Sequence, residues 1–154
     1  MKNLVAFILI ILFFSSCAAQ SKFRVMTEKN GKIGIGTTTP DELLTVKGKI
    51  HTQEVIVDLN GAVAPDFVFE SYFEGTSDLK RDYTLPSLND VAAFIKANHH
   101  LPGVPSASQI ESEGLSLKKM NLLLLQKIEE LTLYTLEQQK EIESLHKLLS
   151  ELKE

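Results

Sequence analysis

Apolar and polar positions change rhythm three times along the chain. Leu4 to Phe14 is an unbroken apolar run. From Lys32 to about Val63, apolar residues alternate with polar ones at period two. The pieces are Lys32-Ile-Gly-Ile-Gly36, Leu44-Thr-Val-Lys-Gly48 and Glu54-Val-Ile-Val-Asp-Leu59, with Gly or Pro as punctuation. This pattern predicts short β-strands. So few short strands cannot bury a core, so residues 32–63 need partner chains or the following segment. Pro40-Asp-Glu-Leu43 predicts a single helical turn, and residues 20–31, which lack a pattern, read as a tether.

Residues 64–114 predict a small mixed α/β piece. Asp66-Phe-Val-Phe-Glu70 and Tyr72-Phe73 are aromatic-rich strand material. A helix is expected after Ser87, with Asp90 three residues on and Leu88, Val91, Phe94 and Ile95 sharing one face. His99-His-Leu-Pro-Gly-Val-Pro-Ser106 ends it, and a second short helix runs from Ser106 to Gly114.

Residues 115–154 contain no Pro or Gly and are rich in Leu, Glu, Lys and Gln, all good helix formers. With Ile128 at heptad position a, the a positions are Ile128, Thr135, Ile142 and Leu149. The d positions are Leu124, Leu131, Gln138, Leu145 and Leu152. Seven of these nine are apolar, which is a coiled-coil seam. A helix of this length extends roughly 55–60 Å, too far to be covered by its own domain. Copies of the same chain are the simplest partners; a single helix folded back on its domain is the alternative. Thr135 and Gln138 are a polar break that can fix register. Glu141 and His146 are the best-placed flanking charge pair. Leu122-Leu-Leu-Leu125 predicts that the start of the helix is buried on nearly every side.

The N-terminal run gains meaning from its flanks. Met1-Lys2-Asn3 supplies a positive start, and small residues follow at Ser15-Ser-Cys-Ala-Ala19. This is the layout of a bacterial secretory signal over residues 1–19, too short to span a bilayer. Phe14-Ser-Ser-Cys17 is similar to a lipobox, in which the Cys17 thiol receives a diacylglycerol and attaches the protein to a membrane. The other reading is cleavage after Ala19. The chain is then exported, either lipid-anchored in the cell envelope or secreted. Cys17 is the only cysteine, so the exported part forms no disulfide and uses no cysteine catalysis. The net charge of −4 comes without a Lys/Arg patch, so nucleic acid is not an expected partner. A zipper-type DNA reader would also need a basic helix before the seam, where only Lys118, Lys119 and Lys127 occur.

Three stretches invite chemistry. Gly31-Lys-Ile-Gly-Ile-Gly-Thr-Thr-Thr-Pro40 has glycines in a phosphate-loop rhythm. It lacks the third glycine and the following helix of a dinucleotide site, and the Gly-Lys-Ser/Thr of a P-loop. Close packing of β backbones explains its glycines better. His99-His100 has no further ligand at metal spacing, so a role at the helix end is expected in place of metal. Ser77, with Asp78 and Lys80, is the one candidate nucleophile. Neither a cofactor nor a small-molecule substrate is expected.

Two of these segments are similar to known arrangements. "GKIGIGTTTPDELLTVKGKI" resembles the repeat units of trimeric bacterial and phage fibre shafts. Residues 66–134, with His100-Leu-Pro-Gly-Val-Pro-Ser106 and Leu124-Leu-Gln-Lys-Ile-Glu-Glu-Leu-Thr-Leu-Tyr134 as the best markers, resemble the C-terminal domain of exported fibre-like proteins. That domain is related to the endosialidase-type intramolecular chaperone. The resemblance implies trimerisation, in which three C-terminal helices bring upstream β segments into register. It also implies self-cleavage in some members, at a serine opening Ser-Asp-x-Arg-Leu-Lys. Ser77-Asp78 matches the start and Leu79-Lys80-Arg81 departs from the rest, so a non-enzymatic module is expected, with autoproteolysis at Ser77 as the alternative. The general rules for Ile at a and Leu at d favour dimers, whereas the resemblance favours trimers. The expected fold is α+β: a short N-terminal β shaft, a small mixed head and a long helix in a parallel, trimeric coiled coil.

Overall fold

The computed structural model describes residues 25–153. The expected signal at residues 1–19, the Cys17 modification site and residues 20–24 of the tether lie outside the described residues. Two compact units divide between Val55 and Ile56.

The first unit is a three-stranded sheet in the order β1-β2-β3, formed by Met26–Lys29, Lys32–Ile35 and Leu44–Val46. β1 and β2 are antiparallel with Lys29 opposite Lys32, and β2 and β3 are parallel with Gly34 opposite Thr45. β1 corrects the expected tether. Asn30-Gly31 closes a two-residue hairpin with φ of 55° and 74°, the chemistry such tight turns require. The expected helical turn at residues 40–43 is instead a bend organised by Thr45. Its hydroxyl accepts from the Asp41 and Glu42 amides, both at 3.1 Å, and donates to Asp41 Oδ1 at 2.7 Å. That bond, ahead of the nearby backbone amides, holds the Asp41 carboxyl below the usual carboxylate range. Glu54 to Leu59 is not a strand, and among the described residues no strand pairs with it.

The second unit is helical: α1 Phe67–Glu74, α2 Leu88–Asn98, α3 Ala107–Glu113 and α4 Leu117–Glu151. Residues 56–63, β-like in pattern, belong to this unit, and Lys118 Nζ donates to the Leu59 carbonyl at 3.1 Å. The expected strands at residues 66–73 are the helix α1, so among the described residues the mixed head is wholly helical. Its apolar residues Phe67, Val68, Phe69, Tyr72 and Phe73 also satisfy a 3.6-residue period. Gly75, with φ of 83°, ends the helix in the left-handed conformation. Packing on α4 thus outweighs the β preference of aromatic residues.

The caps of the other helices follow the sequence. Ser87 Oγ accepts from the Asp90 amide at 3.1 Å, and Ser106 with Gln109 forms a reciprocal capping box. Ser116 accepts from the Lys119 amide at 3.4 Å. α4 has 35 residues and is about 52 Å long at ~1.5 Å per residue. Phe67, Val68 and Leu133 form the core of the unit, flanked by Phe69, Tyr72, Tyr83 and Leu85. Among the described residues, no helix is long and apolar enough to cross a membrane.

Candidate functional site

Around residues 129–134 the two faces of α4 have opposite fates, whereas residues 135–151 are exposed on every side. One face packs against its own chain. Leu133 is fully buried against α1, and Tyr134 donates from its hydroxyl to the Pro86 carbonyl at 2.6 Å. Glu130 is buried one turn earlier and is fully engaged. It accepts from Lys127 Nζ at 2.8 Å, Gln126 Nε2 at 2.8 Å and the Tyr83 hydroxyl at 3.2 Å. Burial, followed by the charge of Glu130, pushes the Tyr83 phenol well above its ordinary range. The Tyr83 ring in turn meets Phe67 edge-on at 4.9 Å, and Lys80 Nζ lies 5.0 Å from the Phe67 centroid.

The opposite face is the seam. Leu124, Ile128, Leu131, Thr135, Gln138, Ile142, Leu145, Leu149 and Leu152 are all exposed. Leu131 is 62% exposed and Leu152 83%. Residues 131 and 133 are separated by about 200° around a helix of 3.6 residues per turn, so the two faces look in opposite directions. The seam residues therefore share one face, as the heptad count expected, and none of them is buried by the described residues of the chain. The prediction that Leu122 to Leu125 are buried all round is corrected: Leu122 and Leu123 are half-buried, while Leu124 and Leu125 are exposed. Phe67 of α1 lines a pocket with Leu122, Leu123 and Gln126, while Leu124 lies on the seam side.

The candidate catalytic residues do not converge. Ser77 is 2% exposed; its hydroxyl donates to Glu70 Oε2 and accepts from the Leu79 amide at 3.1 Å. Asp78 pairs with Arg81 at 2.8 Å on the surface, and Lys80 stacks on Phe67 and Tyr83. The serine thus closes a turn after α1 and ties it back to that helix. Glu70 was not singled out by the sequence, since nothing local to Ser77 announces a partner on the preceding helix.

The glycine-rich loop has a backbone role. A Cβ at Gly34 would lie 2.5 Å from the Thr37 carbonyl oxygen, and one at Gly36 2.9 Å from that of Lys47. Gly36 also has φ of 73°. Lys32 Nζ is taken by the Asp41 carbonyl, so the loop's own cation serves the turn.

His99 caps α2 through its backbone at φ 59°, its amide donating to the Ile95 carbonyl at 2.8 Å. The His100 ring packs edge-on against Phe94 at 5.4 Å, with Nδ1 3.1 Å from the Leu101 carbonyl. Among the described residues, no cluster of three or more His, Cys, Asp or Glu side chains could hold a metal ion.

Glu129 is the misfit. It is buried at 7% exposure, and its Oε2 has no hydrogen-bond partner. Burial, and then the negative charge of Asp66, raise its carboxyl above the usual range. Compared with known proteins, the chain matches no family model, no curated protein and no solved structure.

Proposed function

We propose that the chain is a non-enzymatic, exported structural module that assembles with copies of itself. The α4 seams form a parallel coiled coil that brings the N-terminal β segments of the copies together. The observation that carries this reading is the seam itself: all nine a and d positions are exposed, and between residues 129 and 134 the opposite face of the same helix is buried. Such an apolar stripe, broken at Thr135 and Gln138, is costly to leave in water and marks an interface. The two edges of the β-sheet and the unpaired segment Glu54 to Leu59 need partners for the same reason.

The copy number in this reading is three. The resemblance of the loop His100 to Ser106 and of Leu124 to Tyr134 to the chaperone domain of fibre-like proteins supports it. Three-fold closure also leaves no open edges in an assembled shaft. Attachment to an envelope membrane through a diacylglycerol on Cys17, or release after Ala19, completes the proposal. Ser77 is a structural residue in this scheme, since Glu70 and the Leu79 amide already occupy its hydroxyl.

Light scattering of the purified chain at micromolar concentration tests it. The expected mass is three times that of one chain. A monomer overturns the reading, and a dimer overturns the three-fold part alone.

A further inference from the structure

An apolar groove of about 280 Å³ runs between α2, the loop after it and the first half of α4. Leu88, Val91, Leu101 and Pro102 make one wall. Leu124, Ile128 and Leu131 make the other, and these three are seam residues. The polar groups at its floor, Lys127 and Glu130, are already paired with each other. α2 contributes no buried residue, although its sequence is amphipathic, so the described residues leave its apolar face only partly covered. Leu88 is 46% exposed and Leu101 41%.

We propose that this groove is the seat of α4 from a second copy, so that α2 and the loop Leu101–Pro102 clamp the neighbour's helix at the start of the coil. The inference rests on the self-association proposed above and adds a contact that the heptad pattern does not contain. Three features select the occupant. The groove offers no unpaired charge, which disfavours a polar ligand. It is continuous with the seam, because Leu124, Ile128 and Leu131 face both, so whatever covers the seam at Ile128 also lies over the groove mouth. An occupant of groove and seam together must be a long apolar stripe running along α4, and the seam of another copy has that shape. In an ordinary coiled coil a knob enters a hole of four residues on one facing helix. Here the hole is extended by residues of α2.

Crosslinking between differently tagged, co-expressed chains tests the clamp. All chains carry Cys17→Ser, so that introduced thiols are the only ones. One pairing places Ile128→Cys in both chains and reports the seam. The other places Val91→Cys in one chain and Ile128→Cys in its partner, and reports the groove. A short bismaleimide is the probe, and circular dichroism confirms that each variant is helical. Crosslinked heterodimers in both pairings are expected. Crosslinking at 128–128 without 91–128 overturns the clamp and leaves the self-association reading intact. Failure of both overturns the two together.

Discussion

Leu131 and Leu133 lie two positions apart on α4, yet one is 62% exposed and the other completely buried. A helix turns by about 200° over that interval, so the pair marks the boundary between the face that folds the chain and the face that stays exposed. Substitutions at the two positions should separate assembly from folding. Leu131→Glu places a charge in the seam and should reduce the mass in solution to that of one chain, with helix content of the head retained. Leu133→Ala should instead lower unfolding free energy by about 2–5 kcal/mol, because it opens a cavity against Phe67 and Val68. Light scattering and denaturant unfolding read the two effects. Equal loss of assembly and stability in both variants contradicts the two-face description.

Tyr134→Phe removes the hydroxyl that reaches the Pro86 carbonyl at 2.6 Å and leaves the ring in place. The segment between α1 and α2 loses one of its ties to α4. A destabilisation of about 1 kcal/mol is expected in urea unfolding, with no change in oligomeric mass. An unchanged midpoint means that this bond is exchanged for water without cost.

Glu129 predicts a pH dependence with a definite sign. Its carboxyl binds a proton more tightly in the folded chain than in the unfolded one, through burial first and Asp66 second. The stability this supplies is present at acid pH. It is lost as pH rises above the unfolded value of 4.5 and through the raised folded one. Glu129→Gln should therefore raise the thermal midpoint near neutral pH, by roughly 2–5 °C, and the gain should shrink towards pH 4. A gain independent of pH points to packing as its source.

Gly36→Ala tests the close approach in the sheet. The added methyl must tolerate φ of 73° and sit 2.9 Å from the Lys47 carbonyl oxygen. A cost of about 1–3 kcal/mol is expected for the first unit. The Lys47 amide, which donates to Ile35 at 2.9 Å, should lose hydrogen-exchange protection. Unchanged protection at Lys47 rules out the steric account.

Ser77→Ala should leave the intact mass of the chain unchanged, because the serine serves as a turn residue. It should destabilise the head by about 1–2 kcal/mol, since a half-buried carboxylate at Glu70 loses its donor. A fragment beginning at Ser77 in the unmutated chain, absent in the variant, would establish self-cleavage instead.

Local chemistry made much of the chain legible. Helix caps at Ser87 and Ser106 and the stop at Gly114 depend on groups within a few residues, and they stand where the pattern places them. The heptad count likewise placed the exposed Leu124, Ile128 and Leu131 on one face of α4 from spacing alone. The Asn30-Gly31 hairpin carried an equally local signal, and it reveals β1 where the surrounding polar composition suggested a tether.

Tertiary structure decided what local preference left balanced. Residues 67–73 satisfy both a strand and a helix, and only burial of Phe67 and Val68 against Leu133 selects the helix. Glu54 to Leu59 has a strand's alternation but, among the described residues, no strand beside it, and a ladder needs a partner that sequence pattern does not supply. The pairings of Ser77 with Glu70 and of Tyr134 with Pro86 join separate elements, and the groove between α2 and α4 exists only once both helices are placed. Periodicity determined which faces are apolar, since it follows from backbone geometry. Packing decided which of those faces the chain covers for itself, because coverage depends on what lies opposite.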